Sequence, residues 1–481
     1  MNLKIVIRVL GFLILVEGVA MLLALAVSLI YGEYDSAAFA ISSGILIALG
    51  GTIALLTNNA KKEIGKREGF IIVALVWVVF SFFGSMPYIL SGSIPSFTNA
   101  FFETMSGFTT TGSSILDNIE SLPHGILFWR SISQWLGGMG IIVLSLAILP
   151  VFGIGGMQLY VAEVPGPAPD RISPRIRQTA KTLWIIYLGF TVTETLLLWI
   201  GGMTFYDAIC HSFTTMATGG FSTKQASIAF WPSPFIQYVI IVFMFLAGTN
   251  FTISYLALKG KFSSVFKDEE FKYYGIFIAV FTALIFIGLL LTTQLGVEQA
   301  FRDSLFQVVS IITTTGYATA DYLLWTPVLT ILIFTLFFFG GSAGSTGGSI
   351  KIMRIVLLLK NSYYELRRMI HPHAIIPVKF NKRSVDSKIV TNVLAFFMLY
   401  FIIFGVSTII FTLMEPDLES AMGAVATSLG NIGPGLGNVG PAENFLHVSA
   451  VGKWFLAFLM LLGRLELFTI LVLFAPSFWK K

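Results

Sequence analysis

The stretch "SGFTTTGSS" (Ser106–Ser114) sets a run of hydroxyl side chains around Gly112, immediately after the apolar segment "PSFTNAFFETM" (95–105). Alone it reads as a helix end closed by a glycine cap. It does not stand alone. Similar windows follow at "FTTMATGGF" (213–221), "SIITTTGYA" (310–318) and "TSLGNIGPG" (427–435). Aligned on Gly112, Gly219, Gly316 and Gly433, they recur about a hundred residues apart, which is the mark of an internal repeat. Each window follows an apolar, helix-compatible segment. Each is followed by a small or polar interruption of the next apolar run: "WLGGMG" (135–140), "FLAGTN" (245–250), "FGGSAGSTGG" (339–348) and "LLGRLE" (461–466).

Composition sets the solvent in which this repeat folds. Of 481 residues, 56% are hydrophobic and 11% charged, with a mean hydropathy of +0.84. Soluble domains carry about 25% charged residues, so the chain reads as a polytopic membrane protein with no soluble domain. The single cysteine, Cys210, excludes an internal disulfide and a cysteine metal site, and the five histidines form no HExxH-type spacing. The N-terminal run resembles a signal peptide with a small-residue site at Ala24–Ala26. It continues apolar to Tyr31, however, and reads as a retained span.

A span needs roughly 20 apolar residues. Such runs predict helices near 5–31, 37–57, 69–91, 124–150, 178–201, 232–258, 273–295, 325–359, 387–414 and 447–474. Most of the 30 basic residues fall on alternate connections: Lys4 and Arg8; Lys61, Lys62, Lys66 and Arg67; Arg171, Arg175, Arg177 and Lys181; Lys259, Lys261, Lys267 and Lys272; the segment 351–388; and Lys480 and Lys481. Arg130, Lys224, Arg302 and Lys453 fall on the other side. The positive-inside rule makes the basic side, with both termini, cytoplasmic. These charges flank spans and form no basic domain, which argues against nucleic-acid binding.

The expected fold is all-α and polytopic, with four pseudo-repeats of helix, pore helix, filter loop and helix around one pore, plus an N-terminal two-helix hairpin. The units are 1–58 for the hairpin, then 69–150, 173–260, 270–360 and 386–475 for the repeats. Each repeat has an even number of spans, so all four glycine loops reach one membrane face. Non-helical backbone at membrane depth is tolerated where it lines a watery path. A ring of backbone carbonyls can replace a cation's hydration shell there, and glycine permits backbone shapes that a Cβ obstructs. The candidate ligands are the glycines and the two residues before each: Thr110, Thr111, Gly112; Ala217, Thr218, Gly219; Thr314, Thr315, Gly316; Asn431, Ile432, Gly433. Helix C-termini directed at the axis favour a cation there.

Residues 340–349 break the inner span of the third repeat with nothing apolar larger than Ala343. A segment carrying Gly340, Gly341, Ser342, Gly344, Ser345, Gly347 and Gly348 cannot remain a lipid-facing helix. It is expected to line the cavity below the filter as a flexible gate; the alternative is a static kink. Arg464 lies inside the last span at the same level. A charge within a span faces a polar interior, so Arg464 reads either as a barrier below the filter or as the partner of Glu466. Glu103 sits in the first pore helix as a loop anchor or a cation attractor at the mouth. Glu17 and Glu194 are intramembrane carboxyls to which the sequence assigns nothing beyond interhelical hydrogen bonding.

Two motifs mislead. "GLGNVG" (Gly435, Gly437, Gly440) matches a dinucleotide fingerprint but lacks the βαβ context. "GGSAGSTGGSIK" (340–351) lacks Lys directly after the last glycine. For an enzyme, His211 would be the nearest catalytic candidate, and it has no evident partner.

These repeats resemble the Trk/Ktr/HKT superfamily of potassium transporters over nearly the whole chain. The extra N-terminal pair of spans, the length and residues 340–351 look like its TrkH branch. The resemblance implies K⁺ as the transported ion and a filter at Gly112, Gly219, Gly316 and Gly433. It implies a gating loop at 340–349, with Arg464 in contact with it. It further implies a homodimer in the bacterial inner membrane and a cytoplasmic TrkA-like nucleotide-binding ring, with no organic cofactor on this chain. "GNIGPG" departs from the TTTG type, so the four loops are not equivalent. Two transport readings remain: a gated, channel-like uptake pore, or a K⁺ symporter driven by H⁺ or Na⁺. The first is weakly favoured because no carboxylate pair is evident on the pore side.

Overall fold

The computed structural model describes residues 2–59, 65–140, 176–374 and 376–480. Lys61, Lys62, Arg171, Arg175, Lys481 and the expected span beyond residue 140 lie outside the described residues. Helices dominate, and the strands described are a small antiparallel hairpin, Lys379–Phe380 with Arg383–Ser384. Among the described residues six helices are long and apolar enough to cross a membrane, or up to eight if each of two bent pairs counts as one span.

The first helix runs unbroken from Leu3 to Tyr31, past the small-residue site. Gly32 adopts φ 67° and turns the chain into Ser36–Leu56. Small residues let these two helices approach closely. A Cβ on Gly50 would stand 2.6 Å from the Gly11 carbonyl oxygen.

Four units of one plan follow. Their outer helices are Lys66–Gly84, Ile176–Ile200, Glu269–Thr292 and Ser387–Thr412. Each leads to a short helix: Phe97–Phe108, Phe205–Met216, Val297–Ile312 and Leu418–Gly430. The C-terminal turns of the short helices are buried almost completely, which is where a helix must end inside protein rather than in lipid.

The inner helices differ from single straight spans. In unit two the chain bends by 110° between Pro234–Ala247 and Phe251–Leu258; in unit four it bends by 114° between Ala450–Arg464 and Leu467–Phe474. The breaks fall where helix bonding is interrupted, at Gly248–Asn250 and at Glu466 (φ 56°). In unit three the expected run 325–359 is two helices, Pro327–Leu336 and Ile352–Ile370, with irregular chain between them. The second continues beyond 359 because its sequence stays helix-forming through "YYELRRMI".

Candidate functional site: a fourfold glycine ring above an irregular loop

The short helices all end in the same backbone device. Thr110, Thr218, Thr314 and Asn431 take the left-handed conformation, with φ of 53°, 53°, 58° and 53°. The next residue returns its N–H to the short helix: Thr111 to the Ser106 carbonyl (2.9 Å), Gly219 to Thr214 (2.9 Å), Thr315 to Ser310 (2.8 Å) and Ile432 to Thr427 (3.0 Å). Then comes a glycine with positive φ: Gly112 (85°), Gly220 (75°), Gly316 (78°) and Gly433 (112°).

This corrects the register in unit two. The windows align Gly219 with Gly112, and Ala217 and Thr218 with Thr110 and Thr111. The backbone instead matches Thr218 to Thr110, Gly219 to Thr111 and Gly220 to Gly112. The cause is the paired glycine of "TGG", either member of which satisfies a sequence window. Only the second has the left-handed φ.

The four glycines close a ring. A Cβ on Gly112 would strike the Gly219 carbonyl oxygen, one on Gly220 that of Thr315, and one on Gly316 that of Ile432. One on Gly433 would come within 3.0 Å of the Thr111 oxygen. Units one, two, three and four thus each meet the next, and the last meets the first. Gly112, Gly220, Gly316 and Gly433 together line a small mouth of about 80 Å³.

The threonine hydroxyls of this region brace the backbone. Thr109 Oγ1 donates to the Met105 carbonyl (2.6 Å) and pairs with Thr111 Oγ1 (2.8 Å). Thr313 and Thr315 repeat the arrangement in unit three (2.8 Å between hydroxyls). Units two and four have Ala217 and Gly219, and Gly430 and Ile432, at these places, so the chemistry around the ring alternates. Asn431 Nδ2 bridges to Thr111 Oγ1 and to the Met460 carbonyl, each at 2.9 Å.

A belt of buried polar groups joins neighbouring loops. Glu103 and Arg130 form an ion pair (2.9 Å) with side chains 0% and 1% exposed. Arg130 also donates to the Ser222 carbonyl (3.1 Å) and to Ser114 Oγ (3.2 Å), and stacks over Phe221 at 4.1 Å. Glu103 accepts from Ser114 Oγ and from the Ile115 N–H, both at 2.9 Å. Burying such a pair is tolerable because its remaining donors and acceptors are filled. Tyr317 OH donates to the His211 carbonyl (3.1 Å), Tyr322 OH to Gly435 (2.7 Å) and Ser113 Oγ to Gly433 (3.0 Å). His211 itself contacts the Asp207 carbonyl and Ser222 Oγ, which is a bracing arrangement. Gln134 braces the same belt from the inner helix of unit one. Its Nε2 donates to the Gly219 carbonyl (2.7 Å) and its Oε1 accepts from the Phe221 N–H (3.1 Å), buckling loop two from unit one. A lone glutamine in an inner helix gives no sequence signal for that.

Below the ring lies the irregular segment of unit three. Gly340 N–H donates to Ile350 (2.8 Å) and Ser342 N–H to Gly248 (2.8 Å). Gly348 N–H donates to Thr314 Oγ1 (2.7 Å), directly under the ring. Arg464 donates to the Thr346 carbonyl (2.8 Å), Thr110 Oγ1 (3.1 Å), and the Gly137 (2.7 Å) and Gly138 (3.0 Å) carbonyls. One guanidinium therefore joins loop, ring and inner helix. Glu466 pairs with Arg354 instead. A cavity of about 770 Å³ opens beneath, lined among others by Asn250, Glu270, Thr346, Lys351, Arg464 and Glu466. Carboxylates thus do reach this vestibule, as the linear sequence did not suggest. Glu17 packs beside Gly84, which abuts the first short helix, and Glu194 is fully buried in the outer helix of unit two.

Comparison with known proteins places this architecture. A family model described as "TrkH: Cation transport protein" matches residues 35–481. The chain is similar to the Trk system potassium uptake protein TrkH of Escherichia coli (43% identical, all of both chains) and to that of Halomonas elongata (40%, all of both chains). It is also similar to the crystal structure of the potassium transporter TrkH from Vibrio parahaemolyticus, at a TM-score of 0.89 and 38% identity over all of both chains.

Proposed function

The chain belongs to the TrkH cation-transport family, and from that premise we propose that it takes up K⁺ through a channel-like pore. The observation that carries the reading is the ring in which each of Gly112, Gly220, Gly316 and Gly433 abuts a carbonyl of the next unit. A dehydrating cation needs several oxygens at one level, and backbone carbonyls supply them without any particular side chain. The K⁺ ligands are then carbonyls of Thr110–Gly112, Thr218–Gly220, Thr314–Gly316 and Asn431–Gly433. The Gly219 oxygen spends one lone pair on Gln134 and keeps the other.

Residues 340–349 act as the gate and Arg464 as the charge holding it against the ring. Support comes from the loop's bonds to Gly248, Thr314 and Arg464, which draw on three units. The protein works as a homodimer in the bacterial inner membrane with both termini cytoplasmic, an orientation favoured by the basic residues on alternate connections. A TrkA-like ring docks on that face and carries any nucleotide.

K⁺, Rb⁺ and Na⁺ fluxes through purified protein in liposomes test the proposal. Equal K⁺ and Na⁺ flux overturns the selective filter. Because Glu270 and Glu466 reach the vestibule, coupling to H⁺ or Na⁺ is the second reading. A reversal potential that shifts with the pH or Na⁺ gradient at fixed K⁺ would establish it in place of the channel.

A further inference from the structure

The gate segment anchors itself through few side chains, Thr346 Oγ1 donating to the Met216 (3.1 Å) and Ala247 (3.2 Å) carbonyls and Ser349 Oγ to the Phe337 carbonyl (2.7 Å), and further anchors come from outside. Arg464 grips it from the carbonyl side, at Thr346. The amide side is gripped by an acid that nothing in the sequence marked. Glu270, 5% exposed, sits in the first turn of the helix Glu269–Thr292. A single oxygen, Oε1, accepts the Ala343 N–H at 2.7 Å and the Met353 N–H at 3.2 Å. Ala343 lies within the irregular stretch and Met353 in the first turn of the helix Ile352–Ile370 that follows it, so one oxygen ties the loop to the helix it runs into.

The position of that oxygen is itself fixed. Asp268 caps the same helix through the Phe271 N–H (2.9 Å) and accepts from Asn381 Nδ2 (2.8 Å). The Glu269 N–H donates to Asn381 Oδ1 (2.7 Å), and the Glu269 carboxylate pairs with Lys360 (2.5 Å). Lys360 reaches on to the Lys379 carbonyl (3.0 Å). The exposed Lys379–Ser384 hairpin is therefore wired, through three consecutive acids, to the loop and to the helix that follows it.

We propose that Glu270 is a positioning residue that latches the 340–349 loop closed, and that the hairpin beside it holds the latch in place. The inference rests on the gating role proposed above for that loop. One carboxyl oxygen accepts both backbone donors, each bond adding to the hold, and its loss frees the loop from the helix that follows it.

The test is basal K⁺ flux through the full-length protein in liposomes. Glu270→Ala is expected to raise it roughly tenfold while the K⁺ over Na⁺ ratio stays unchanged, because the ring is not touched. Glu270→Gln keeps a carbonyl oxygen at the Oε1 position and is expected to remain closed. If Glu270→Ala does not fold, Glu270→Asp takes its place, since it withdraws the oxygen by roughly 1.5 Å and is expected to leak likewise. Wild-type flux in the shortened variant overturns the latch. So does an equal leak in Glu270→Gln, and so does a leak accompanied by lost selectivity. Deleting 342–347 separates the two readings. If the deletion leaks and the Glu270 variant does not, the latch alone fails; if neither leaks, the gate fails with it.

Discussion

Alanine at Gly220 is expected to damage ion selection beyond repair, whereas at Gly219 the obstacle is a neighbouring side chain. Gly220 has φ 75°, a conformation that costs an L-residue about 1–2 kcal/mol. Its Cβ would also overlap the Thr315 carbonyl oxygen. That atom is backbone in the adjoining filter loop, so relief requires displacing a carbonyl of the ring. If the ring loses about 1–2 kcal/mol of K⁺ preference, the K⁺ over Na⁺ ratio falls roughly 5- to 30-fold. Gly219 lacks the left-handed φ, and the atoms nearest its Cβ would be those of the Gln134 side-chain amide. Trimming Gln134 to Ala opens that space, at the cost of the buckle between units one and two. The assay is a double-mutant cycle on relative K⁺ and Na⁺ flux. Gly219→Ala is expected to add little in the Gln134→Ala background, while Gly220→Ala remains as severe there as in the wild type. If Gly219→Ala is the more damaging in both backgrounds, the register read from the backbone is wrong and the window alignment is restored.

Arg464→Ala and deletion of 342–347 are each expected to raise basal K⁺ flux in liposomes, and an unaltered leak in both would remove the gate. Arg130→Met leaves Glu103 charged and unpaired at 0% exposure, and is expected to cost about 3–5 kcal/mol, read as a lowered Tm of the purified protein. Replacing both partners, Glu103→Gln with Arg130→Met, is expected to recover part of that loss, and a double variant no more stable than Arg130→Met contradicts it. Gly112→Ser is expected to lower K⁺ over Na⁺ selectivity, since its Cβ meets the Gly219 carbonyl; unchanged relative fluxes would argue against carbonyl coordination at this level.

Much of the helical plan was legible in the order of residues because lipid punishes unpaired backbone. Apolar runs of span length, punctuated by the same glycine loop, leave few arrangements besides repeated re-entrant helices. The break at 340–349 was legible for the same reason, since a ten-residue tract of small residues cannot hold a helix in lipid. The register of loop two was not, because "TGG" offers two glycines. A usable signal did exist: Ser106, Thr214, Ser310 and Thr427 stand at one constant spacing before Gly112, Gly220, Gly316 and Gly433. Gly219 would put Phe213 at that place.

By itself, then, the sequence determined that this chain crosses a membrane repeatedly and carries four related loops to one face, because hydropathy and repeat spacing are local properties of the chain. Only the tertiary structure decided which glycine of "TGG" enters the ring, that Arg464 faces the loop and Arg354 takes Glu466, and that Gln134 and Glu270 brace loops far from them in sequence. Each of those depends on where a backbone N–H or C=O of another unit points. Hydrogen-bond direction is set by packing among four units at once, and residue order in any one of them does not encode it.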